Sequence, residues 1–195
     1  MPLVPPLLAP PLHAQPSTEL HTPNYDLISV DIRCVSELDK KLKECNVDFN
    51  SPTLVISECV LIYMSTEHSD SLLKYLSKTF KKCCFLNYEQ VNLADRFGEI
   101  MLSNMEARSC KLLGVESCDS IESQINRFNK NNLNIGQLIT LTDYYNNKMN
   151  KNERRRIESL EFLDEGELLM QLLDHYCVCV ASNSLDLFKS INFDE

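Results

Sequence analysis

The chain has 195 residues, 44% of them hydrophobic and 24% charged, and a formal net charge of −9. That size suits one domain with a sizeable core, and the negative charge disfavours nucleic acid, whose phosphates it would repel. No apolar run approaches the length that crosses a bilayer, so no membrane is expected.

The pass along the chain starts at Met1 to Pro23, which holds seven of the eight prolines and no Asp, Glu, Lys or Arg before Glu19. Prolines at 5, 6, 10 and 11 break any apolar helix, and the basic start of a signal peptide is absent. Residues 1–23 therefore read as an extended or disordered tail, and 24–195 as the folded part.

From Tyr25 the pattern changes. YDLISVD reads as a strand ending at Asp31, and Ser36-x-x-Asp39 as a capping box that opens a helix through Leu38, Leu42 and Cys45. The run TLVISECVLIYM, Thr53 to Met64, follows. Leu54, Val55 and Ile56 in succession suit a parallel strand covered on both faces, ending at Glu58. Ligands of open α/β sheets bind at the carboxyl ends of strands, which makes Glu58 a candidate site residue. An acid at a strand end that meets water or caps a helix is the competing reading.

Thr66 reads as the cap of a helix whose Leu72, Leu73, Leu76 and Phe80 share one face. Cys83 to Tyr88 reads as a further strand, and this alternation predicts an α/β fold with a parallel, doubly wound sheet. Asp95 to Leu113 and Ser120 to Asn131 read as polar helical stretches. Lys148, Lys151, Arg154, Arg155 and Arg156 form a basic cluster, expected to be a solvated face paired with nearby acids. Asp164-x-x-Glu167 reads as a capping box for the helix through Leu168, Leu169, Leu172 and Leu173, and Tyr176 to Ala181 as a final strand.

The chemistry-bearing side chains are few. Nine cysteines occur with no Cys-x-x-Cys pair, so no metal is expected; thiols in apolar runs behave as small buried hydrophobes. Free thiols without an Asn-x-Ser/Thr sequon fit a reducing, cytoplasmic setting. None of the four histidines, His13, His21, His68 and His175, has a serine or cysteine context suggesting a catalytic nucleophile. His175 is expected at a helix end.

Three blocks, ISECVLIYM (Ile56 to Met64), FLNYEQVNLADRFGEIM (Phe85 to Met101) and RIESLEFLDEGELL (Arg156 to Leu169), closely resemble the leucine carboxyl methyltransferases. The similarity runs from about Tyr25 to Ser182. It implies a partial Rossmann-like (class I) methyltransferase sheet with a helical cap inserted at about 95–150. It also implies S-adenosylmethionine as methyl donor and, as acceptor, the C-terminal leucine carboxylate of the protein phosphatase 2A catalytic subunit. By that resemblance Asp31 and Ile32 hold the adenine, the carboxylate accepting from its exocyclic amine, as a group that only accepts must. Glu58 lies beside the cofactor, and Tyr63 is a candidate pocket wall with one polar handle. Tyr88, Glu89, Gln90 and Arg96 fall in a well-matched block without separate roles. Methyl transfer to an already ionised carboxylate needs alignment more than a catalytic acid or base.

The sequence also departs from that family. Its four glycines, Gly98, Gly114, Gly136 and Gly166, leave no glycine-rich cofactor turn before the Asp31 strand. The second-strand acid for the ribose and the family's N-terminal helices are likewise missing. The expectation is therefore a C-terminal portion of such an enzyme, weakly active or inactive alone, with an apolar, unpaired sheet edge facing the missing part. Two other functions are carried: a non-catalytic protein that binds the phosphatase, and a relative of the transferase that modifies the wybutosine base of transfer RNA. The latter family carries a further repeat domain, and this chain ends without one.

Overall fold

A computed structural model describes residues 19–161 and 163–190. Most of the proline-rich tail lies outside those residues. The chain divides into two units, residues 1–47 and 48–195.

In the first unit the expected strand is nearly absent. Strand β1 (Leu20–His21) pairs antiparallel with β2 (Asp26–Leu27), and the ladder holds only Leu20↔Leu27 and His21↔Asp26. Ile28 to Asp31 is irregular. A strand persists only where a neighbour takes its backbone N–H and C=O groups, and β1 is too short to do so beyond Leu27. Helix α1 (Val35–Glu44) begins at Cys34, which makes no side-chain cap. The predicted Ser36 box does not form, and Asp39 instead binds Lys43 at 2.7 Å, one turn on.

The second unit is built on one sheet with strand order β3-β4-β6-β5: β3 (Pro52–Glu58), β4 (Lys82–Gln90), β5 (Asn134–Thr140) and β6 (Tyr176–Ser182). Only β3 and β4 are parallel; β6 runs antiparallel to β4 and to β5. The α/β class is as expected, whereas the doubly wound parallel arrangement is confined to one pair. Strand β5 was not foreseen, because Asn134, Gly136 and Gln137 break its alternation; the register shifts between Ile135 and Gln137, a bulge around Gly136.

One face of this sheet is closed. Phe85, Asn87 and Glu89 of β4 and Cys177, Cys179 and Ala181 of β6 are all essentially inaccessible. Helix α2 (Thr66–Thr79) buries Leu72, Leu73 and Leu76. Its N-cap is Ser65 rather than Thr66, the hydroxyl accepting from the His68 N–H. Asn183 ties the end of α2 to the sheet: its amide donates to Ser77 O and Phe80 O while its Oδ1 accepts from Cys83 N. Helix α4 (Ile121–Asn129) lays Phe128 against Phe85, ring centroids 5.4 Å apart.

A second apolar cluster joins Ile62, Leu93, Leu112 and Cys118, packed against Met101, Leu102 and Met105 of α3 (Arg96–Ala107). Gly98 is required there, because a Cβ would lie 2.1 Å from Leu93 O. Beyond β5 come a short α5 (Leu141–Asp143) continuing as π-helix over Tyr144–Lys148, then α6 (Lys151–Glu158) and α7 (Gly166–Asp174). The Asp164 capping box does not form; Glu165 is the N-cap and makes no side-chain bond. The basic cluster on α6 pairs as expected, Arg154 with Glu158 at 2.8 Å and Arg156 with Glu153 at 2.6 Å.

Candidate functional site

Strand β3 ends at Glu58 because the next residue turns out of the sheet. Cys59 has φ +48°, the left-handed region that costs a non-glycine residue of order 1–2 kcal/mol. Its N–H is held by Tyr88 O at 2.8 Å, and the chain then reverses into a 3-10 turn, Leu61–Tyr63. A strained residue directly after a strand-end acid is where folded chains place functional side chains. Leu61 and Ile62 are buried and anchor the turn.

The predicted double coverage of β3 is not what forms. Leu54 is 56% and Ile56 68% exposed, because β3 is an edge strand and the face they share with Glu58 is open. Registry places Glu58 beside Tyr88 and Tyr88 beside Val178. A groove of about 330 Å³ follows, lined by Ile56, Glu58, Leu86, Tyr88 and Val178. The Tyr88 ring stacks on Tyr176, centroids 5.4 Å apart and 16° from parallel. Burial raises the Tyr88 phenol pKa, with Cys59, Tyr176 and Glu58 adding to it. Glu58 is exposed. A carboxylate beside apolar and aromatic walls can accept from a hydroxyl or amine and attract a cation.

Tyr63 is 43% exposed. Burial, then the neighbouring groups of Cys110, Cys59 and Tyr176, push its phenol up. Burial likewise holds the Cys59 thiol protonated, at about 11, which removes it as a nucleophile near neutral pH.

Asp31 and Ile32 belong to the first unit. Asp31 sits four residues past β2 in the turn that leads into α1, not at a strand end, and Cys34 N–H closes the turn on Asp31 O. Its carboxylate is held in a two-point pair with Arg33, Nε to Oδ1 2.9 Å and Nη2 to Oδ2 2.7 Å. Ile32 is half-buried. Nearby, His21 Nδ1 lies 2.7 Å from Asp26 Oδ1, and the Cys45 thiol completes a His-Asp-Cys group within 4.8 Å.

Sequence reasoning missed the polar centre behind the groove. Glu89 and Arg127, both with side chains fully buried, pair at 3.3 Å, and Gln124 bridges to Gln90 O and Cys118. Burial raises the Glu89 pKa, opposed by Arg127 and the Ile62 N–H. That N–H belongs to the turn after Glu58, so the buried pair lies against the segment that carries the site. Nothing in the spacing of residues 89 and 127 signals this. Tyr176 was missed for a similar reason, since only antiparallel pairing brings it to Tyr88. Arg96 pairs with Glu99 at 2.7 Å on α3. His175, at the predicted helix end, donates its Nδ1–H to Gln171 O at 2.6 Å, sets Nε2 3.1 Å from Asp95 Oδ1 and stacks on Phe97 at 4.0 Å.

An α/β sheet with an acid at the carboxyl end of a parallel strand, above an aromatic-walled groove, defines a ligand-binding α/β domain. A model of the family "Leucine carboxyl methyltransferase" matches residues 11–77. Similar proteins include leucine carboxyl methyltransferase 1 of Rattus norvegicus, 48% identical over 163 residues, 84% of this chain and 49% of that protein. The Caenorhabditis elegans protein of the same name is 42% identical over equal shares. The tRNA wybutosine-synthesizing protein 4 of Rattus norvegicus is 31% identical over 82% of the chain and 23% of its own length. The chain belongs to the leucine carboxyl methyltransferase family, and it spans about half the length of the leucine carboxyl methyltransferases it matches. Among the described residues no helix is long and apolar enough to cross a membrane.

Proposed function

We propose that the chain is part of an S-adenosylmethionine-dependent O-methyltransferase for the C-terminal leucine carboxylate of a protein, the protein phosphatase 2A catalytic subunit, and works in the cytoplasm. The observation that carries this is Glu58, exposed at the carboxyl end of β3 beside the Tyr88–Tyr176 stack. The cofactor supplies an activated methyl group on a sulfonium. Glu58 attracts the cationic part of such a ligand, and Ile56, Leu86 and Val178 give it an apolar surface to lie against. Asp31 and Ile32 are proposed for the adenine. The division 24–195 as methyltransferase portion, with a cap at about 95–150, is part of the same proposal.

Calorimetric titration with S-adenosylmethionine tests it. Saturable heat in the wild type, lost in Glu58→Ala with the circular dichroism spectrum kept, is the expected result; equal heat in both proteins removes Glu58 from the site. A second reading, a chain that binds the phosphatase without methylating it, is favoured by exposed Leu160, Leu163, Leu168 and Leu172 near the basic α6. Capture of the catalytic subunit ending in leucine, with no methyl incorporation, distinguishes it.

A further inference from the structure

The turn that follows Glu58 is held by groups far from it in sequence. Cys59, in its left-handed conformation, gives its N–H to Tyr88 O at 2.8 Å. Ile62, buried at the middle of the 3-10 turn Leu61–Tyr63, has its carbonyl taken by the Gly114 N–H at 2.8 Å. Gly114 fits there only without a side chain, because a Cβ would stand 2.6 Å from Met64 O, 3.0 Å from Leu61 O and 3.2 Å from Arg127 Nη2. The first N–H groups of so short a turn find no partner within it. That of Ile62 lies against the Glu89 carboxylate and favours its charged form, and Glu89 Oε2 pairs with Arg127 Nη1 at 3.3 Å.

Two charges that touch no solvent are costly to bury, and an apolar pair of similar volume commonly serves stability as well. What an apolar pair cannot do is accept from the Ile62 N–H. A carboxylate accepts more strongly than a neutral group, and a guanidinium beside it keeps it ionised. Glu89 lies on the central strand β4, next to Tyr88 of the groove wall. The same strand thus carries the aromatic wall and the acceptor that faces the turn.

We propose that Glu89, with Arg127 as its counter-ion, and Gly114 are positioning residues of the ligand site, a role that rests on Glu58 and Tyr63 facing the ligand as proposed above. They fix residues 59–63 against β4, and with them the side chains of Glu58, just before the turn, and of Tyr63, at its end. Glu89 and Arg127 have no exposed side-chain surface, so they act through the turn and not on the ligand.

The double variant Glu89→Leu/Arg127→Met separates positioning from stability. It strands no charge, so its urea midpoint is expected nearer to wild type than that of Glu89→Leu or Arg127→Met alone, while the Ile62 N–H loses its acceptor. Amide exchange followed by nuclear magnetic resonance is expected to quicken about tenfold at Ile62, with Cys177 and Cys179 unchanged. Calorimetry is expected to show S-adenosylmethionine bound about tenfold more weakly, the loss of one charged hydrogen bond. Gly114→Ala keeps the ion pair whole, moves the same two readouts in the same direction, and serves alone if the double variant does not fold. A double variant that recovers affinity along with stability shows the pair to be structural only and overturns the proposal. So does wild-type protection of Ile62 in a folded variant. Absence of heat from the wild-type chain counts against the reading of Glu58 instead, and Ile62 exchange then decides whether these residues hold the turn.

Discussion

Arg127 touches no solvent, and neither does its partner Glu89, although each would be costly to bury alone. Removing one member of such a pair strands the other charge, a loss of about 3–5 kcal/mol. Arg127→Met is therefore expected to lower the unfolding free energy by about that amount, measured by urea denaturation at pH 7. The variant also has a pH signature. Burial already raises the Glu89 pKa in the folded state, and without Arg127 it rises further. A carboxyl group whose folded pKa exceeds its unfolded value stabilises fully below the unfolded value, and that stability is lost as pH rises through the folded one. Arg127→Met should therefore recover stability relative to wild type on acidification from pH 7 towards 5. A gap that stays constant over that range would mean that the Glu89 charge is not what the substitution exposes.

Capping decides where the elements start, and it was the least reliably read feature at this scale. Ser36, Thr66 and Asp164 each have the right chemistry for an N-cap, yet the observed caps are Cys34, Ser65 and Glu165. Packing of the following turn sets the first helical residue, and a cap one residue away costs only about 1 kcal/mol. Asp95 is the clearest true cap. It accepts from Gly98 N–H at 2.9 Å and meets His175 at 3.1 Å. Asp95→Ala is expected to cost about 1 kcal/mol, read by denaturant unfolding. The Gly98 N–H, followed by His175, holds the Asp95 carboxyl below its ordinary range. Its contribution is thus present above about pH 4 and lost as the pH falls through that region. The difference between wild type and Asp95→Ala should shrink in acid; a difference that grows would contradict the cap assignment.

For the molecule as a whole, stability is unevenly spread. In the second unit β4 and β6 are central strands with one fully closed face, whereas the first unit's sheet is a two-pair ladder of exposed residues. Local opening draws on the weakest contacts first. Native-state hydrogen exchange should find the slowest amides at Phe85, Asn87, Cys177 and Cys179, and near-unprotected ones at Leu20 to Leu27. Comparable protection in the two regions would show the short ladder to be more than it is in this structure.

The alternation of apolar runs with amphipathic stretches was enough to place β3, β4, β6, α2 and α4 within a few residues, because those segments bury one continuous face. The short motif after β3 was equally legible: Glu58 closes an apolar run, and local sequence controls where such a run ends. The strand ending at Asp31 was misread, since strand propensity in YDLISVD forms nothing without a neighbour to take its hydrogen bonds. The same reason hid β5, the antiparallel direction of β6, the openness of β3 and the Glu89–Arg127 pair. Short-range pattern determines which segments can be helix or strand and which residues are apolar. Which strands become neighbours, which edge is left free and which distant side chains meet are set by long-range pairing, and only the tertiary structure decides those.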